Sequence, residues 1–227
     1  MHFLPLLIVC AVFGTLLWTV WRKLREARRA DFIRGYAFPK GLIEKLQRQR
    51  PGLPAKDGQL VARALRQFFL AHLKSGRQFV AMPSQVTDEL WHEFILYTRH
   101  YERFCRQAFG RFMHHTPAVV LAQAQRDNTG LRRTWWHCCR DENINPRKPT
   151  RLPLLFALDA KLGIAGGVVY SPRPRPPGAG GNSNGGAEIT YGDDFADASF
   201  SGDADAMGGA DAGGDGGGDG GGCGGGD

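Results

Sequence analysis

Hydrophobic and polar positions fall into three regimes along the chain. The first 21 residues, MHFLPLLIVCAVFGTLLWTVW, contain no Asp, Glu, Lys or Arg. A helix needs about 20 apolar residues to cross the hydrocarbon of a bilayer, so 1–21 reads as a transmembrane anchor. Trp18 and Trp21 stand at its C-terminal end, where interfacial aromatics belong. A basic juxtamembrane segment, 22–38, follows, with Arg22, Lys23, Arg25, Arg28, Arg29 and Arg34. Positive charge after the span and none before it predicts a single-pass bacterial inner-membrane protein, N-terminus out and C-terminal domain cytoplasmic. A cleaved signal peptide needs a basic region ahead of the apolar run and small residues behind it, and neither is present.

The second regime, 39–165, has apolar positions recurring every three or four residues, the period of a half-buried helix. Leu42, Ile43 and Leu46 predict a short helix ended by Arg50-Pro51-Gly52. Asp57 is the expected cap of the next, whose buried face is Leu60, Val61, Ala64, Leu65, Phe68, Phe69 and Leu73, with Ser75-Gly76 as its stop. Ser84 is the expected N-cap of a helix running to about Phe109, with Val86, Leu90, Phe94, Tyr97, Tyr101 and Phe104 as its stripe and Gly110 as its end. Thr116-Pro117 predicts another start, Asn128-Thr129-Gly130 a break, and 131–140 and 152–162 two further helices. No alternating run long enough for a strand occurs. The fold class expected is all-α: a small orthogonal helical bundle after one N-terminal transmembrane helix.

The third regime, 166–227, is dominated by glycine. Residues 171–227 hold 20 of the chain's 31 glycines, and a segment so poor in apolar side chains predicts a disordered Gly/Asp-rich tail. Charge follows the same division. Residues 1–170 carry 27 Lys+Arg against 12 Asp+Glu, and the remainder carries two against ten. The overall +7 therefore conceals a basic body and an acidic tail. The body suits anionic lipid, with Arg22, Lys23, Arg25, Arg28 and Arg29 as the expected headgroup contacts. No Lys/Arg stripe interleaved with aromatics points to nucleic acid. Five cysteines, one in the apolar run and one in the glycine tail, make no disulfide framework.

Candidate chemistry is confined to 82–117. Asp88 and His92, four apart, share one helix face and form a candidate polar pair. His92-Glu93 lacks the second histidine of a zinc-protease helix, since Leu96 occupies that position. On one straight helix His92 and Cys105 lie about 20 Å apart, too far to share an ion. Cys105, His114 and His115 converge if the chain turns back at Gly110, and they are the candidate ligands for a zinc or iron ion. The alternative is Cys105 as a small core residue and His114-His115 as a polar turn. No P-loop, nucleophile elbow or dinucleotide fingerprint is present, and no catalytic residue is assigned.

Pro83-Ser84, Asp88, the run Trp91-His92-Glu93-Phe94-Ile95-Leu96, Tyr101, Phe104-Cys105, Phe109-Gly110 and His114-His115-Thr116-Pro117 resemble the bacterial glycine-rich-domain-containing proteins. Arg151-Leu152-Pro153-Leu154-Leu155-Phe156-Ala157 extends the likeness. The resemblance covers about 60–165, with the tail matching by composition. It implies one helical domain architecture and no established activity. The function expected is a membrane-anchored cytoplasmic helical domain that binds a protein partner. The alternative is a metal-dependent enzyme or metal-binding protein using Cys105, His114 and His115 with Asp88/His92.

Overall fold

The computed structural model describes residues 3–115, 129–172 and 189–191. Helix α1 runs unbroken over Phe3–Gly35, through the expected boundary between anchor and juxtamembrane segment. Its two ends live in different surroundings. From residue 8 to residue 28 every side chain is exposed, apolar ones included. From Ala30 onward α1 enters the core, with Ile33 fully buried. Among the described residues no helix is long and apolar enough to cross a membrane; the uncharged stretch of α1 whose side chains are described begins at Ile8.

The rest is a helical bundle around one long central helix. α2 spans Leu42–Gln49, α3 Ala55–Lys74, α4 Gln85–Leu96, α5 Thr98–Ala108, α6 Thr129–Asp141 and α7 Leu154–Leu162. α3 packs against α1, α2, α4, α6 and α7. It does so because apolar residues surround most of its circumference: Val61, Leu65, Phe68, Phe69, Leu70 and Leu73 are all buried. Phe69 sits 4.7 Å from Phe104 and 6.0 Å from Trp91, ring centre to ring centre. Tyr36 extends that aromatic cluster, 4.6 Å from Phe104, and ties the end of α1 to the bundle.

Helix ends follow local chemistry, with corrections to the sequence expectation. Pro54 holds the N-cap position of α3, and Asp57 lies in the helix's first turn rather than capping it. Its end is a Schellman turn: Gly76 N–H bonds Leu73 O at 3.2 Å and Arg77 N–H bonds His72 O at 2.9 Å. Gly130 is buried inside the first turn of α6 instead of breaking the chain. It is glycine because a Cβ there would lie 2.4 Å from the Phe79 ring. Ser84 caps α4 as expected, accepting from Thr87 N–H.

Two larger corrections concern the expected helix over 84–109 and the edge of the domain. The single helix is two, broken at Tyr97 (φ −80°, ψ 57°). The kink lets both halves face α3: Leu90, Trp91 and Phe94 from α4, and Tyr101, Phe104 and Cys105 from α5, are buried together. The core also continues past 165. Tyr170 is buried, packs 4.9 Å from Phe156 and donates its hydroxyl to Pro83 O. It lies in a short strand, β1 (Val169–Ser171), paired in parallel with β2 (Ile189–Tyr191) in a fold that is otherwise helical. The helix expected from Thr116-Pro117 and most of the glycine-rich tail lie outside the described residues.

Candidate metal centre

The start of α4 is fixed from a distance. Asp159 on α7 is buried and accepts from Ser84 Oγ at 2.7 Å, Gln85 N–H at 2.7 Å and Val86 N–H at 3.3 Å. It also accepts from Val168 N–H at 3.1 Å. A carboxylate receiving the free N–H groups of a helix start satisfies them and complements the helix dipole. Gly167 permits the approach: a Cβ there would come within 2.8 Å of the Asp159 Cβ. α4 is thereby held rigidly, and Asp88 sits in its first turn with His92 one turn on.

The third residue returns from α5. Gly110 takes φ +77°, turning the chain so that 111–115 runs back along α4. Tyr101 fastens this segment by donating its hydroxyl to Met113 O at 2.6 Å while accepting from Trp91 Nε1 at 3.2 Å. Trp91 then packs 4.5 Å from the His115 ring, and the His92 ring lies 4.2 Å from it. His115 Nε2 is 3.1 Å from Asp88 Oδ1, and His92 Nδ1 is 3.5 Å from Asp88 Oδ2. One donor atom from each of Asp88, His92 and His115 lies within 4.8 Å of the others.

These distances suit a shared ion. Ligands about 2.0–2.2 Å from a tetrahedral zinc stand about 3.3 Å from one another, so rotations of about 1 Å complete the geometry. Two imidazoles and one carboxylate are a borderline-to-hard set suited to zinc, iron or another first-row divalent ion. The side chains grade outward, from 14% exposed at His115 through 32% at Asp88 to 53% at His92, so one side of the triad meets solvent.

The expected ligand set is therefore redrawn. Asp88, His92 and His115 are together; Cys105 and His114 are elsewhere. Cys105 is fully buried on α5, and burial pushes its thiol up, keeping it protonated and unsuited to ligation. His114 is exposed and packs against Phe112, ring centres 4.8 Å apart. Exposure alternates along 112–115, with Met113 and His115 turned inward and Phe112 and His114 exposed, so only one histidine faces α4.

Asp88 and His115 also line a cleft of about 780 Å³ that sequence reasoning missed. Its other walls include His72, Arg77, Phe79, Arg111, Phe112 and Val168. His72 Nδ1–H donates to Gln78 O at 3.0 Å. Burial first, then the charges of Arg111 and Arg77, lower its pKa to about 4, so it is neutral at ordinary pH. The signal for these residues was faint in sequence: Arg77 follows a helix-stopping glycine and Arg111 follows a turn glycine, each a loop position at a bundle end.

The chain belongs to the UCP032817-like family, whose model matches residues 28–189 and so spans α1 from its packed end to the first residue of β2. No curated protein and no solved structure matches it.

Proposed function

We propose that the protein is a membrane-tethered helical domain that binds a divalent transition metal through Asp88, His92 and His115. The observation that carries the metal reading is the convergence of three ligand atoms within 4.8 Å from two segments separated by the Tyr97 break and the Gly110 turn. The full chain, purified in neutral detergent, is expected to hold about one zinc per chain. His115→Ala and Asp88→Ala lose it, whereas Cys105→Ser and His114→Ala retain it. Cobalt substitution gives d–d bands without the strong thiolate charge-transfer band near-ultraviolet spectra show for cysteine ligation. A chain that binds no zinc, or loses it with Cys105→Ser, overturns the reading.

The tether rests on the exposed half of α1. Ile8, Val12, Phe13, Leu16, Leu17 and Val20 are each more than half exposed along this part of the helix. Apolar area on that scale is costly in water and favourable in lipid. In sequence the run from Met1 to Trp21 holds no Asp, Glu, Lys or Arg, about the length of uncharged chain that the hydrocarbon requires. Arg22 lies 4.7 Å over the Trp18 ring and Arg25 4.5 Å over Trp21, a pairing suited to the headgroup level. In this arrangement the domain faces the cytoplasm and the basic residues 22–29 meet anionic lipid. Alkaline carbonate extraction should leave the full chain in the membrane pellet, and Leu16→Arg should release it; a wild-type chain recovered in the supernatant sinks the tether.

Partner docking is the second reading. Leu96, 66% exposed at the end of α4, is the largest apolar outlier on the bundle itself. A photoreactive residue at position 96 that captures one protein reproducibly in cells, and none when Leu96→Asp is introduced with it in the neighbouring position, supports that role.

A further inference from the structure

The cleft beside the triad has a composition of its own. Among its described charged walls, Arg77 and Arg111 are cationic and Asp88 alone is acidic. Arg77 donates to Phe109 O at 3.0 Å, and Arg111 donates to Arg77 O. These bonds hold the two guanidinium groups in place through backbone carbonyls, which leave their charges uncancelled. No described carboxylate is ion-paired to either.

Arg77 is also held where a side-chain-bearing residue seldom sits. It takes φ +66°, the left-handed region, directly after Gly76 at φ +71°. Glycine would occupy that position without strain, and strained non-glycine residues concentrate where a side chain has work to do. His72, in the same wall, is neutral because burial first, and then the charges of Arg111 and Arg77, lower its pKa. The fixed imidazole adds a neutral polar wall.

The rim is apolar. Phe79 is 39% exposed, Phe112 45% and Val168 37%, and all three line the cleft. These are the large apolar side chains most exposed on this side of the bundle. A small inorganic ion would leave them in water. A ligand with an anionic head and an apolar body would cover them while its head meets the guanidinium groups.

We infer that the cleft lined by Arg77 and Arg111 and rimmed by Phe79, Phe112 and Val168 binds a phosphate- or carboxylate-bearing molecule with an apolar group, placing its anionic head beside the Asp88/His92/His115 centre. This rests on the metal reading for the position of the head, while the cationic and apolar walls stand without it. Arg29 on α1 abuts Gly110, next to Arg111, and feels the charge of Arg77. The cationic edge of the cleft therefore lies where α1 leaves the bundle, so such a molecule has two sources: a lipid headgroup in the adjoining leaflet or a soluble monoester.

The test uses the full chain in neutral detergent, with and without zinc, titrated calorimetrically with phenyl phosphate. Phenyl phosphate is expected to bind, more tightly than inorganic phosphate by about fivefold because its ring covers the apolar rim. Arg111→Gln should weaken it about tenfold, as loss of one charge-assisted contact does, while one zinc per chain and the helical circular dichroism are unchanged. Phe112→Ser should abolish the preference over inorganic phosphate and leave inorganic phosphate binding as it was. Phosphatidic acid added to the micelles that displaces phenyl phosphate identifies the headgroup as the source; no displacement identifies a soluble monoester. Zinc binding without any phosphate binding, or phosphate binding indifferent to Arg111→Gln, overturns the inference and leaves the metal reading standing. Absence of zinc with Arg111-dependent phosphate binding does the reverse.

Discussion

Protonation of His72 should destabilise the bundle. The ring is buried on α3, its edge packed 4.9 Å from Phe109, with Nδ1–H bonded to Gln78 O. Burial and the cations Arg111 and Arg77 lower its pKa from 6.5 to about 4, and the Gln78 carbonyl only partly opposes them. The sign follows from which state holds more protons. Between pH 6.5 and 4 the unfolded chain binds a proton at this residue and the folded chain does not, so stability rises with pH there. The contribution is fully present above pH 6.5 and is lost as pH falls toward 4. At about 1.4 kcal/mol per pH unit the loss is about 2 kcal/mol by pH 5 and about 3 kcal/mol by pH 4. His72→Asn keeps an N–H where Nδ1–H stands and removes the titration. Urea unfolding of both chains in neutral detergent, at pH 7.5, 6, 5 and 4, isolates the effect as a difference, because all other groups titrate in both. The wild type should lose about 2 kcal/mol more than His72→Asn between pH 7.5 and 5. A difference below about 0.5 kcal/mol would mean that the ring is solvated or paired when charged, and the reasoning would fail.

Other substitutions probe the elements that carry the triad. Asp159→Ala strips four hydrogen bonds from the start of α4 and the Val168 turn, and should cost at least about 3 kcal/mol in urea unfolding, with zinc affinity falling as α4 loosens. Tyr101→Phe removes the hydroxyl linking Trp91 to Met113; zinc affinity should drop about tenfold while the stoichiometry at saturation stays at one per chain, measured by competition with a chelating dye. Gly130→Ala drives a Cβ into the Phe79 ring and should destabilise by about 1–3 kcal/mol in thermal unfolding. Adding Phe79→Ala should recover most of that loss, since Phe79 is partly exposed and the clash is with its ring.

Much of the bundle was legible because burial leaves a period in the sequence. The face of α3 reads directly from Val61, Leu65, Phe68, Phe69 and Leu73, and Ser84 caps α4 because a hydroxyl before a helix accepts its first free N–H. The misread places are those where a residue's role was set by something distant. Gly130 resembles a breaker, yet its lack of a Cβ serves packing against Phe79, 51 positions earlier. Asp159 resembles a polar residue on the last helix, yet it caps α4 across the bundle. Tyr170 stands at the edge of a glycine-rich tract, yet its ring completes the core against Phe156. None of these contacts has a local signature.

The triad shows why spacing alone could assemble its members and still assort them wrongly. Asp88 and His92 form a pair on any helix, because four residues make about one turn. The third member depends on two backbone events. A break at Tyr97 swings α5 so that Tyr101 and Cys105 enter the core, which removes Cys105 from any surface site. A left-handed turn at Gly110 then sends 111–115 back along α4, with Met113 and His115 turned inward and Phe112 and His114 exposed. Which of His114 and His115 meets Asp88 is thus a question of the phase of this alternation, and the phase is set by Tyr101 holding Met113 O. Met113 and His115 are two apart and share a side; the carbonyl anchor and the Trp91 ring together select His115. A one-residue insertion between Gly110 and Met113 would leave this register intact, whereas an insertion between Met113 and His115 would present His114 to Asp88 instead. Inserting a single alanine after Met113 should therefore move the zinc dependence from His115→Ala to His114→Ala, and a chain still sensitive only to His115→Ala would show that the tyrosine anchor does not set the phase.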